Sequence, residues 1–424
     1  MNRHERRRLH KIAGSRRADP FAPGKRYFRT SDGQAGSAGP GTQSYTAQNN
    51  SDAQAAVLAL SQPMTQPTQQ IAIPGNNVVQ GTTQNIVLNN VGLQTKLVIK
   101  VTGNIAQTSA ETLTKTPFGL ANIFSNIQVT DLSNYQRINT SGWHIQMLAS
   151  LRRQAIFGAA YQTDSPFGWG SNYDAMNGPA AVTLVKPFCI FFELPLAYHD
   201  YDLRGAVYSA VTSAQWRVQL QFNQNFVVPA NSTDIILGCY QSSSNAAGSQ
   251  GTLSAVAITV YQHYYDQIPV GKNGVPNVPL LSLAWNYLLQ STPQTAFVQG
   301  QDNAFPYANM RTFLSTMALF DNAGTFNAGT DVNYWGIQAA NLVFLEKLDP
   351  YYAALRTRNL CGDDPPAGLY IFDHRKKPVI TQQYGNMQLV GNFSTVNAGA
   401  SILLGYEMLA IQSQAINAGS LATS

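Results

Sequence analysis

Charge is scarce in this 424-residue chain: Asp, Glu, Lys and Arg together make up 12%, about half the share of a typical globular domain. A surface so poor in charge is not built like that of an ordinary soluble enzyme. Cysteine is scarcer still. Cys189, Cys239 and Cys361 are odd in number, far apart and without a C-x-x-C pair, which argues against redox chemistry or a zinc site and leaves reduced, buried thiols. No apolar run approaches the roughly 18 residues of a membrane-spanning helix, and no apolar h-region follows the basic N-terminus as in a secretory signal. Synthesis in the cytoplasm is the expectation.

Motifs of chemistry are missing as well. None of His4, His10, His144, His199, His263 and His374 forms H-E-x-x-H or another local metal pattern. Tyr198-His-Asp200 and His263-Tyr-Tyr-Asp266 place a histidine near an aspartate, but no nucleophile of recognisable context stands nearby. There is no G-x-x-x-x-G-K-[ST] phosphate loop and no strand-to-helix G-x-G-x-x-G. Asp321 to Asp331 (DNAGTFNAGTD) repeats Asx and Gly like a calcium loop but lacks the EF-hand spacing and its closing Glu. Turn formation is the better reading there, with Gly324 and Gly329 supplying positive φ. No catalytic, cofactor-binding or metal-ligating residue is assigned.

What the chain has instead is neutral polarity. It carries 33 Asn, 35 Gln, 33 Gly and 20 Tyr, a composition suited to β architecture with wide, hydrogen-bonded protein contacts. At 44% hydrophobic it can bury substantial cores, and its length allows two or three domains. The net charge of +5 is unevenly placed. Residues 1–29 hold Arg3, Arg6, Arg7, Arg8, Lys11, Arg16, Arg17, Lys25, Arg26 and Arg29 against Glu5 and Asp19, a net +8, leaving −3 for the other 395 residues. An anionic partner should therefore meet the arm and not the body. Nucleic acid or an anionic membrane would satisfy those charges, and a solvated tail is the bland alternative; Phe21, Tyr27 and Phe28 among them suit a lipid interface or a neighbouring subunit.

Along the chain, Thr30 to Asn50 reads as a flexible tether, and Asp52 to Leu60 as a short helix capped by Ser51. From Ile71 the period becomes two. Leu97, Ile99 and Val101 share a face in Lys96–Thr102, and Trp216–Phe222 alternates cleanly. Phe188 to Leu194 reads as a more buried strand and Ala257 to Tyr265 as another. The best helix follows Thr140-Ser141, with Trp143, Met147, Leu148 and Leu151 on one side. Three prolines and two glycines in Ile268–Pro279 mark a boundary. Beyond it, Arg311–Phe320, Leu369–Phe372 and Ser401–Met408 are strand-like, and Leu342–Leu355 is more helical, interrupted at Pro350. Two β-rich blocks with long loops fit sandwiches or jelly rolls, and periodicity does not choose between them.

A set of motifs resembles the double jelly-roll major capsid proteins of tectiviruses, icosahedral double-stranded-DNA phages with an internal membrane. In the first block these are Thr140-Ser-Gly-Trp-His144, Thr163-Asp-Ser-Pro166, Pro195-Leu-Ala-Tyr198 with Asp202-Leu203 and Gly205-Ala-Val207, and Tyr261 to Gly274 (YQHYYDQIPVGKNG). In the second they are Phe320 to Tyr334, Lys347-Leu-Asp-Pro350, Tyr384-Gly-Asn386, Leu403-Leu-Gly-Tyr-Glu407 and Asn417-Ala-Gly419. They run in family order over roughly four fifths of the chain; the departure is the basic arm and tether, longer than the family's usual leader.

The resemblance implies an all-β chain of two jelly-roll barrels in tandem, with short helices in loops and a basic N-terminal arm. Its expected divisions are residues 1–60 (arm), 61–268 (first jelly roll), 269–280 (linker), 281–410 (second jelly roll) and 411–424 (C-terminal arm). It implies a virion protein made in the host cytoplasm: a major capsid protein forming homotrimers that tile an icosahedral shell, with neighbouring trimers, penton and minor capsid proteins as partners. It implies no catalysis and no sequence-specific nucleic-acid binding. On the charge argument, the ten basic residues named above are candidate contacts to the anionic inner membrane surface. The alternatives are a non-viral β-sandwich carbohydrate-binding or hydrolytic protein, which would need carboxylates about 5–9 Å apart in a groove, and a nucleic-acid-binding protein resting on the arm alone.

Overall fold

The computed structural model describes residues 63–68, 71–73, 79–107, 112–130, 136–153, 175–177, 184–198, 203, 205–209, 216–232, 238–243, 251–266, 286–291, 293–308, 311–324, 328–339, 343–361, 366–375, 378–381 and 386–409. The ten basic candidates of residues 1–29, the helix expected at 52–60, the linker 269–280 and the C-terminal arm lie outside the described residues.

The first block begins with β1 (Pro63–Pro67), β2 (Ile71–Ala72), β3 (Thr83–Val87), β4 (Leu93–Gln107) and β5 (Thr112–Lys115), followed by a 3₁₀ turn at Gly119–Ile123, β6 (Phe124–Thr130) and β7 (Gln136–Thr140). Helix α1 (Gly142–Arg153) comes next, and then β8 (Ala175–Asn177), β9 (Leu184–Pro195), β10 (Val207–Tyr208), β11 (Arg217–Phe222), β12 (Val227–Val228), β13 (Tyr240–Ser242) and β14 (Gly251–Tyr265). Alternation dictates these strands. In β4, Leu97, Ile99, Val101 and Ile105 turn inward while Lys96, Val98, Lys100 and Thr102 stay half-exposed. Two sheets face each other, ordered β1-β14-β4-β9 and β3-β11-β6-β7, both antiparallel throughout.

The second block repeats the plan with β15 (Asn286–Gln290), β16 (Asp302–Pro306), β17 (Thr312–Asp321), the one-turn helix α2 (Ala328–Asp331), β18 (Val332–Ala339) and β19 (Val343–Leu348). Helix α3 (Pro350–Cys361), β20 (Leu369–Asp373), β21 (Val379–Ile380), β22 (Gln388–Phe393) and β23 (Ser401–Leu409) complete it. Its sheets run β15-β23-β17-β20 and β16-β22-β18-β19. Numbering the eight main strands of each block in chain order gives 1-8-3-6 and 2-7-4-5 both times, with a helix after strand 5. That is the jelly-roll order, twice.

The blocks are joined by more than chain. The outer strand of one first-block sheet, β7, pairs in parallel with β15 through Ile138–Leu288 and Asn139–Leu289, so one nine-stranded sheet runs through both barrels. β17 is buried at all ten positions, because its inner face fills its own barrel while Met317 and Leu319 join the first barrel's core.

The strands and the Thr140-Ser141 helix expected from periodicity are present. Leu342–Leu355 differs: its first half is β19, and the helix starts at Pro350. Proline lacks an N–H and presets φ, which suits a first helical turn, and Asp349 before it accepts from the Tyr352 N–H at 3.0 Å as the cap. At the Asx/Gly segment, Asp321 Oδ1 accepts from Gly324 N, and Gly324 takes φ of +82° as a turn requires. Gly329 instead lies in α2, so it supplies no left-handed turn.

Candidate functional site at the junction of the barrels

The densest polar constellation lies where α1 crosses onto the second barrel. At its start, Gln290 Oε1, at the end of β15, accepts from the Ser141 backbone N–H at 3.1 Å and from the Ser141 hydroxyl. Thr140 Oγ1 pairs with His144 Nδ1 at 2.7 Å. The imidazole lies against the backbone of Gly405 on β23, where an added Cβ would come 2.5 Å from His144 Cδ2, so only glycine admits the ring. Burial holds His144 neutral by lowering its pKa to about 3.

At the other end, Arg152 forms an ion pair with the fully buried Glu407, and Ser315 Oγ donates to the other carboxylate oxygen at 3.1 Å. Arg152 Nη1 also donates to the Tyr198 carbonyl at 3.2 Å. Arg375 grips Asp373 with Nε and Nη2 at 2.8 and 3.1 Å and donates to the Leu151 carbonyl at 3.1 Å. Burial pushes the Asp373 carboxyl up, but the bonds and charge of Arg375 outweigh it and leave its pKa below the ordinary value. Replacing such buried pairs by apolar groups often costs little, so their clearest physical effect is to select one docking of the barrels.

Among the described residues, no group of three or more His, Cys, Asp or Glu side chains could hold a metal. Cys189, Cys239 and Cys361 are buried, and burial raises the thiol pKa of Cys189 and Cys239, the state of inert interior thiols. His263 lies on β14 and meets Thr65 Oγ1 at 3.1 Å. His199 and Asp200 fall outside the described residues. The junction residues escaped sequence reasoning, although one signal was available: Glu407 is the only charged residue in an otherwise apolar strand. A lone carboxylate there needs a partner brought from elsewhere.

Two jelly rolls of identical strand order, joined through one continuous sheet, make a double jelly-roll fold, and solved structures agree. The chain matches the atomic structure of Sulfolobus Turreted Icosahedral Virus with a TM-score of 0.57 at 12% identity, covering 82% of this chain and 91% of that one. It matches PBCV-1 VP54, fitted into a reconstruction of the virophage Sputnik, with a TM-score of 0.53 at 12% identity, covering 82% and 93%. At such identities these likenesses establish the double jelly-roll fold.

Sequence carries the assignment further. The family models described as P3 major capsid protein N-terminal and C-terminal match residues 34–268 and 284–423. The chain is 36% identical over 380 residues to the major capsid protein P3 of Enterobacteria phage PRD1, covering 88% of this chain and 94% of that protein. The chain belongs to the P3 major capsid protein family, and its role is that of a virion shell protein.

Proposed function

We propose that the chain is a structural subunit without catalysis that assembles as a pseudo-hexagonal homotrimer into the icosahedral shell of a membrane-containing double-stranded-DNA phage. The observation that carries this reading is the doubled 1-8-3-6 and 2-7-4-5 topology, docked through one continuous sheet and a buried polar junction. Each chain is thereby a rigid two-lobed block, and three of them present six similar lobes to a lattice. The low-charge, amide-rich surface supports the same reading, because few charges need stripping of water when subunits meet. Penton and minor capsid proteins would complete the shell, and synthesis would take place in the host cytoplasm.

The arm has its own role in this proposal. Arg3, Arg6, Arg7, Arg8, Lys11, Arg16, Arg17, Lys25, Arg26 and Arg29 lie against anionic lipid headgroups beneath the shell, each contributing about 1 kcal/mol near such a surface. Residues 269–280 serve as the linker between barrels.

Light scattering after size exclusion tests the assembly. A trimer of 46.1 kDa chains weighs about 138 kDa and should resist dilution, whereas a clean monomer would count against the reading. Flotation with anionic liposomes at low salt tests the arm: deletion of residues 1–29 should abolish it, and unchanged flotation would remove the arm's role.

A further inference from the structure

Each barrel ends its 2-7-4-5 sheet on strand 2, and the two ends are finished differently. Among the described residues β3 has only β11 beside it, and β16 has only β22. Both strands are five residues long. On β3, the Thr82 carbonyl and the Leu88 N–H bond to β11, so by alternation the N–H and C=O groups of Thr83, Asn85 and Val87 point off the edge. On β16, the Tyr307 N–H bonds to β22, which puts Asp302, Ala304 and Pro306 in the same places. Asp302 sets a charge on that edge and Pro306 has no N–H to offer, and both devices keep stray strands away. β3 has no charge, no proline and no bulge. Its three edge residues are exposed, Val87 at 58%. An edge left open in one barrel and guarded in the other marks a place for a partner strand.

The side chains along that edge select the strand that fits it. Asn85 stands in a cross-strand row with Gln219, Gln128 and Asn139, none of them buried. An amide both donates and accepts, so such a row is its own complement. Antiparallel pairing of β3 with a second β3 about a twofold axis sets Asn85 against its own copy and Thr83 against Val87. Every N–H and C=O group on the edge then finds a partner. Arg217 on β11, level with Val87, is the one charge on these two strands. Its two copies would stand three strand spacings apart, about 14 Å, which exceeds the Debye length of about 8 Å. β16 paired with itself would instead set Asp302 against Pro306 and lose ladder bonds at both ends.

Resting on the shell reading above, we propose that β3 is a joint between trimers: where two trimers meet across a twofold axis, their β3 strands pair antiparallel with Asn85 at the centre. The nine-stranded sheet of one chain, which ends at β3, then continues into that of another. The contact lies between trimers and leaves the closing of each trimer to other surfaces.

Cysteine substitutions test the register, in shells assembled from the full chain under reducing conditions and then oxidised. The three native thiols are buried. Opposed residues of a hydrogen-bonded antiparallel pair have Cα atoms about 5.5 Å apart, within reach of a disulfide. Asn85→Cys should therefore give a chain dimer of twice 46.1 kDa on a non-reducing gel. Thr83→Cys alone should give none, because its copy lies about 13 Å away along the strand, and adding Val87→Cys should restore the dimer. Intact shells in which Asn85→Cys gives no dimer, or in which Thr83→Cys alone cross-links as well, overturn the pairing and leave the shell reading standing. Asn85→Lys adds the guard that β3 lacks. It should stay folded by circular dichroism and halt at trimers of about 138 kDa by light scattering, whereas Ala304→Lys at the matching place on β16 should go on to shells. Normal shells from Asn85→Lys would also overturn the joint. Wild-type chains that form no shell at all would remove the shell reading and the joint with it.

Discussion

The first barrel fills its interior mainly with branched aliphatic side chains, among them Ile99, Val101, Ile127, Val129, Ile258 and Val260. The second fills its own with rings: Phe305, Phe313, Phe320, Trp335, Tyr370, Phe372 and Phe393. Strand length accounts for the difference. β4 and β14 have 15 residues each, whereas β17 and β23 have 10 and 9. A shorter strand sends fewer side chains inward, so each must fill more volume to reach the density of a protein interior. Identical topology leaves the filling open, and the second barrel depends on fewer, larger contacts.

That contrast is broken most severely at Trp335, whose indole packs against Tyr370, Phe372 and Phe393 with ring centroids 5.1–6.1 Å away. Trp335→Ala should cost about 4 kcal/mol by cavity formation, read as a lower urea midpoint. Glu407→Ala comes next. It strands Arg152 and Ser315 at the junction and should cost about 3 kcal/mol. A double-mutant cycle with Arg152→Ala should show strong coupling, and additive losses would mean that the pair does not act as a unit.

Acid should loosen both barrels together. Burial lowers His144 to about 3 and His374 to about 4, the latter with Asp373 opposing and Arg356 assisting. Both folded values lie below the unfolded value near 6.5, so the stability these histidines contribute is whole above that pH and is lost as pH falls from about 6.5 towards 4 and then 3. The urea midpoint should drop between pH 7 and pH 5, and His144→Gln should flatten that slope; an unchanged slope would discount the junction histidine. Smallest of all, Ile99→Val in the aliphatic barrel should cost about 1 kcal/mol, and a loss matching that of Trp335→Ala would erase the distinction between the barrels.

Much of the fold was legible where a strand keeps one face wet. Lys96–Thr102 and Trp216–Phe222 alternate, and α1 shows its apolar stripe through Trp143, Met147, Leu148 and Leu151. Legibility failed where burial or exposure had a cause outside the segment. Leu342–Leu355 reads as more helical with an interruption at Pro350, because its apolar spacing spans β19 and α3 and hides the strand that precedes the proline. The junction was unreadable because its partners are separated by up to 255 positions, as in Arg152 and Glu407. The basic arm was legible as charge, but charge names a kind of partner and no geometry.

The parallel pairing of β7 with β15 has a mechanical consequence. With Ile138 beside Leu288 and Asn139 beside Leu289, the two lobes share one hydrogen-bonded ribbon and cannot swivel about a hinge without tearing it. Each chain behaves as a stiff voussoir, and any curvature of the wall it helps to build must be taken up in the joints between chains.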